Sequence, residues 1–276
     1  MWRWFFALAV LTVGLPAGAL ESWDRTRIRT DLEAGRPLVV RVIVALCHND
    51  QVDCGSQAAG APGNLKTNLY WGAIFGARRF LERKGSAFQR VFLAPGPDGV
   101  LERAVYRRKV PAKRWGLART EPIEQLVVLD AVHGNAIDRA VTGFWRTATE
   151  GDTVEFLDAG KSRRLGVHVA GYVGHNRLMD GTRLPAAPRS AKQAIPSFVL
   201  ACYSESYFSA ALTRAGSKPL VMTRALMAPE GYVLNAVLLG IGDGQSEQVA
   251  RARAVAAYAK WQKLSNGVAS RIFAPR

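Results

Sequence analysis

PLVVRVIVALC, residues 37–47, is almost entirely apolar and rich in β-branched side chains. That composition belongs to a strand buried on both faces, since a strand with one wet face alternates polar and apolar positions. Working outward, FQRVFL (88–93), IEQLVVLDAV (123–132), LGVHVAGYVG (165–174), SFVLAC (197–202) and PLVMT (219–223) read as further strands. Apolar residues at helical spacing predict helices over 65–84, 135–150, 207–215, 229–239 and 247–263, the last with Ser246 placed to cap it. PGPDG (95–99) predicts a turn, with 101–110 as the returning hairpin strand, and the basic tract 107–119 is expected on an exposed loop. Strands alternating with helices predict an α/β fold: a mostly parallel central sheet with helices on both faces. A single domain is expected over residues 20–276, with a core at about 36–226 and a helical C-terminal extension at 227–276.

The first nineteen residues, MWRWFFALAVLTVGLPAGA, carry one charge at Arg3, a short apolar core, and small residues at 17–19. This pattern predicts a removable secretion signal ending at Ala19. The apolar run is shorter than the roughly 20 residues of a spanning helix, and no cysteine marks a lipid attachment point at the junction. No later segment is apolar enough to cross a bilayer. The expected workplace is therefore periplasmic or secreted, with no membrane segment in the mature chain.

The chain has 37 Lys and Arg against 22 Asp and Glu, a formal net charge of +15. Such a balance favours acidic partners, an acidic envelope component among them. The charge is scattered (Arg25, Arg27, Arg29; Arg78, Arg79; Arg107, Arg108; Arg163, Arg164) and lacks a basic tail or interleaved aromatics. Nucleic acid is a poor fit to that distribution.

Three cysteines in an exported chain leave one over when two pair. Cys47 and Cys54 stand seven apart at the end of the first strand. A local disulfide is the favoured reading. CHNDQVDC (47–54) also offers thiolates, an imidazole and carboxylates to a metal, but a structural zinc site draws on two separated ligand pairs and no second pair exists. Reduced thiols are the third alternative, and no metal or cofactor is expected.

Two strands then end on residues suited to thiol chemistry: one runs into His175, the other into Cys202. In a parallel sheet the carboxyl ends of neighbouring strands share one edge, where ligands bind. Imidazole can take a thiol's proton and return it to a leaving amine. His133 and His168, single histidines on or near strands, read as structural. GIGDG (240–244) follows a helix and reads as a turn, and no phosphate loop, G-x-S-x-G or H-E-x-x-H motif is present.

GYVGHN (171–176) and FVLACYS (198–204) together resemble the motifs of caspase-fold cysteine peptidases, the superfamily of caspases, legumains, gingipains, clostripains and separases. The resemblance covers residues 36–226. It implies a caspase-like three-layer α/β/α fold, His175 as catalytic histidine, Cys202 as nucleophile, and a peptide or protein substrate. Legumain-like members orient the histidine with an asparagine after the first strand, a place held here by Asn49, which also suits a turn. The family places glycine after the histidine; this chain has Asn176 there and Gly174 before it, so the oxyanion or substrate pocket is expected to involve Gly174 and Asn176. Asp180 is the candidate receiver of a basic substrate side chain. The competing expectation is a domain of the same fold that lacks catalysis and binds an acidic envelope partner.

Overall fold

The computed structural model describes residues 25–188 and 193–275. The predicted signal at 1–19 lies outside them. An opening helix, α1 (Arg25–Glu33), leads into β1 (Leu38–Ala45), and a long irregular connection reaches the short helix α2 (Ala77–Leu81). The hairpin β2 (Gln89–Ala94) and β3 (Val100–Val110) precedes β4 (Ile123–Val132), α3 (Ile137–Glu150) and a second hairpin, β5 (Thr153–Asp158) and β6 (Lys161–Gly166). Next come β7 (Val169–Val173), β8 (Ser197–Leu200) and α4 (Ala210–Arg214), and the helices α5 (Gly231–Gly242), α6 (Glu247–Trp261) and α7 (Asn266–Ser270) finish the chain.

Six strands form one sheet in the order β2-β3-β4-β1-β7-β8. The four from β4 to β8 are parallel, and β2-β3-β4 pair antiparallel. β1 lies in the middle, and its side chains feed two cores: Val40, Val42 and Val44 join one, Val39 and Ile43 the other. The first core is closed by α1, α5, α6 and α7, the second by α3, α4 and the β5–β6 hairpin. Helices thus cover both faces, as the two-sided apolar character of residues 37–47 requires.

Several local expectations change. Residues 65–84 do not form one helix. A Cβ at Gly72 would meet the Leu65 carbonyl oxygen at 2.3 Å, and one at Gly76 would meet the Trp71 backbone, so the chain folds closely on itself. Only Ala77–Leu81 is helical. The stretch 165–174 divides, because β6 belongs to the separate hairpin and β7 starts afresh once the His168 N–H reaches the Val39 carbonyl at 2.9 Å. Residues 218–223 run beside β8 with three backbone hydrogen bonds, two from or to Ser197 and one from Val199 to Val221, and form no regular strand.

The basic tract is not a free loop. Arg107 and Arg108 lie in β3, paired with Glu124 and Asp158 and with Asp243, and Trp115 is buried. The region expected as a C-terminal extension supplies part of the core itself. α5 is buried along nearly its whole length, and the Gln125 side chain from β4 donates to its Leu238 carbonyl at 2.8 Å.

Asp130 of β4 is fully buried between two arginines: Arg103 of β3 grips it with bonds of 2.7 and 2.8 Å, and Arg41 of β1 bonds it at 2.9 Å. Arg41 also reaches Asp152 and Thr147 beyond the end of the sheet. Removing one member of such a network strands buried charge, which costs about 3–5 kcal/mol. Asp130→Ala should lower unfolding stability by that amount in a denaturant titration, and a change of a few tenths would show the network to be dispensable.

His168 links β1 to α1. Its Nδ1 accepts the Val39 N–H at 3.0 Å, and its Nε2 donates to Asp31 at 3.1 Å. Burial, the larger effect, lowers its pKa from the ordinary 6.5, and Asp31 only partly opposes this. The folded state therefore favours neutral imidazole, so its stability is complete above pH 6.5 and declines as the pH falls. Unfolding measured from pH 7 down to 5 should show that decline, and His168→Asn, which keeps an acceptor without a titrating ring, should flatten it.

Candidate functional site

The four parallel strands deliver chemically active residues to one edge. β4 runs into His133, β1 into Cys47 and His48, β7 into His175 and β8 into Cys202. Val173 pairs with Leu200, and His175 and Cys202 each stand two residues beyond that last pair, at the ends of adjacent strands. The Gly174 N–H continues the ladder to the Leu200 carbonyl at 3.3 Å.

A direct tie joins the two ends. The fully buried Asn176 donates from Nδ2 to the Cys202 carbonyl at 2.7 Å, and its Oδ1 accepts the Leu178 N–H at 3.1 Å. Both ends of this amide are used within the protein. It is a brace, not a lining group free to meet substrate, which differs from the pocket role expected for it. Gly174 likewise spends its N–H on the sheet. Its φ of +149° and the Ala45 carbonyl oxygen 3.0 Å from any added Cβ explain why glycine stands there.

His175 is held by the aspartate expected to receive substrate. Its Nε2 lies 2.7 Å from Asp180, whose carboxylate also takes Arg177 at 3.1 Å, and Arg177 in turn reaches Asp138 at the start of α3. Burial pushes the Asp180 carboxyl up, but hydrogen bonds from His175 and Arg177 outweigh it and hold it below the ordinary carboxylate value. With an ionised Asp180 accepting at Nε2, Nδ1 is the ring nitrogen left for proton transfer.

Cys202 is the free cysteine and is partly exposed. Its sulfur lies 3.4 Å from the Met227 N–H and 3.5 Å from the Met227 carbonyl oxygen. Neither of these is the His175 ring. Directly after it, Tyr203 takes a left-handed φ of +50°, a costly conformation for a residue with a side chain. Buried hydroxyls hold that bend: Ser204 donates to the Val199 carbonyl at 2.9 Å and accepts the Thr223 N–H at 2.9 Å, and Thr223 donates to the Ala201 carbonyl. Among the described residues the Cys202 N–H donates to none. Tyr70 and Tyr258 flank the site on the α6 side. Burial first, and charge at Cys202 among the further causes, raises both phenols above their usual range.

Cys47 and Cys54 form a disulfide, and among the described residues no cluster of His, Cys, Asp and Glu could hold a metal. Asn49 serves the same loop. Its amide donates to the Ser56 carbonyl at 3.1 Å and accepts the Cys54 N–H at 3.2 Å, so these bonds stay within the loop, as in a turn, and neither reaches His175. The buried Asn68, which the sequence did not single out, ties this loop to β1 through the Cys47 N–H and carbonyl at 3.0 and 2.8 Å. Met227, Ser204 and Thr223 were also missed, and no spacing pattern marks them. They are brought in by the chain's return beside β8.

A cavity of about 1080 Å³ lies elsewhere, lined by α3, the β2–β3 turn and the β5–β6 hairpin. Among the described residues no helix is long and apolar enough to cross a membrane. Compared with protein-family models, curated proteins and solved structures, the chain matches none.

Asn176→Ala removes the tie and leaves the Cys202 carbonyl without its side-chain donor, a loss of about 1–3 kcal/mol. Denaturant unfolding should register that loss, and thiol labelling of Cys202 should change in rate even under conditions where the variant is fully folded.

Proposed function

We propose that this chain is an exported cysteine peptidase of caspase-like fold, with Cys202 as nucleophile and His175 as general base and then acid. The observation that carries the reading is the placement of His175 and Cys202 just beyond the ends of adjacent parallel strands, with Asn176 tied to the Cys202 carbonyl. His175 Nδ1 takes the thiol proton as sulfur attacks the substrate carbonyl. The same proton passes to the leaving amine, and water then hydrolyses the thioester with His175 again as base. The Met227 N–H stabilises negative sulfur, and the unbonded Cys202 N–H is the natural donor to the oxyanion. Asp180 orients the imidazole and balances its charge during transfer. The Cys47–Cys54 disulfide supports an oxidising, extracytoplasmic workplace.

A second reading, a domain of this kind that binds a partner without catalysis, is favoured by one observation: the sulfur's bonded partners are Met227 groups and not the imidazole. The large cavity is mixed in charge, with Arg139, Arg146 and Arg164 beside Asp98, Glu150 and Glu155.

The two readings separate in a labelling and turnover experiment. Iodoacetamide should modify Cys202 faster than a free cysteine near neutral pH, and His175→Ala should remove that advantage and lower peptide hydrolysis by about 10²-fold or more. Equal labelling of wild type and variant, with no hydrolysis by either, would favour the binding domain.

A further inference from the structure

The substrate class of this site follows from what surrounds Cys202. Of the large apolar side chains left exposed, four belong to segments bonded to Cys202 or to its chain neighbours: Met179 at 37%, Tyr203 at 36%, Tyr207 at 42% and Leu226 at 64%. Their proximity rests on bonds. Tyr203 follows the cysteine, and its N–H donates to the Ala225 carbonyl at 3.1 Å, which sets Leu226 between that contact and the Met227 backbone at the sulfur. Tyr207 lies one wide helical turn beyond Tyr203, in the segment Glu205–Ser209. The Met179 N–H bonds the carbonyl of Asn176, whose side chain holds Cys202.

Charged recognition has weak support at the same place. Asp180 is taken by His175 and Arg177. Glu230, half-buried, is already engaged: it accepts from Gln262 at 3.3 Å, and burial raises its carboxyl above the usual value. Exposed apolar side chains gathered at one place mark a contact surface.

We infer that the site takes an extended peptide whose residue before the cut bond is large and apolar, seated on this collar of Tyr203, Tyr207, Leu226 and Met179. The inference rests on the peptidase reading and specifies its substrate. Glu205 stands in the same turn as Tyr207, so a basic peptide belongs in the comparison.

The test sets fluorogenic peptides differing only at that residue, with Phe, Leu, Arg, Asp or Asn, against the purified protein. The kcat/KM for Phe and Leu should exceed the others by about tenfold or more, the scale on which an apolar pocket discriminates. Leu226→Asp and Tyr207→Asp should collapse the ratio of Phe to Arg peptide turnover. Turnover that favours Arg, Asp or Asn overturns this inference alone. A Cys202 that neither labels faster than a free cysteine nor cleaves any of the five peptides overturns the peptidase reading, and the substrate class with it.

Discussion

Everything at the candidate site depends on the parallel pairing of β4, β1, β7 and β8. A parallel strand buried on both faces has no wet side on which to carry chemistry, so polar and reactive residues gather at its ends. β1 shows the constraint most plainly. Its one polar residue, Arg41, exists inside the protein by pairing with the buried Asp130 and with Asp152, while its chemistry-bearing residues, Cys47 and His48, come only after the strand has ended. The same rule puts His175 after β7 and Cys202 after β8. Register then does what no local feature could, bringing the ends of two strands 27 positions apart in the chain side by side, with Val173 paired to Leu200.

Register alone leaves strand ends loose, because the ladder stops where the site begins. β8 has only four residues, and the chain bends sharply behind Cys202. Three polar elements replace the missing ladder: the Asn176 amide across to the Cys202 carbonyl, the Ser204 and Thr223 hydroxyls beneath the bend, and the Met227 backbone at the sulfur. A left-handed tyrosine survives at Tyr203 because these bonds fix the residues on either side of it. The hydroxyls are buried and satisfied, so they add rigidity without leaving an unpaired group.

The strands that the sequence disclosed best are those whose burial is uniform. Residues 37–47 and 123–132 became β1 and β4 almost to the residue, since continuous β-branched runs have few alternatives, and the Ser246 side chain does cap α6. The failures have local physical causes. In 65–84 helical spacing was present, but Gly72 and Gly76 let the backbone approach itself, and Asn68 pulled the chain onto Cys47. In 165–174 a single apolar run hid a change of sheet. At the site, His175 and Cys202 were visible because they end apolar strands, while the partners of each were not. The Asp180 and Asn176 side chains have assignments set by which group lies nearest in three dimensions.

Asn176 shows why a departure from a family pattern need not mean a weakened site. Glycine after a histidine leaves backbone accessible, and asparagine in that position would block it if its side chain pointed outward. Here the amide turns inward and is consumed by Cys202 and Leu178. The exchange trades backbone freedom for a cross-strand tie. Asp180 makes a parallel trade: its carboxylate is spent on His175 and Arg177. A charge committed to positioning cannot also select a ligand, since the salt bridge to Arg177 and the bond to His175 already satisfy it. On the proposed reading, discrimination would fall to shape and apolar contact at Tyr203, Tyr207, Leu226 and Met179, while the buried polar groups keep the strand ends in place.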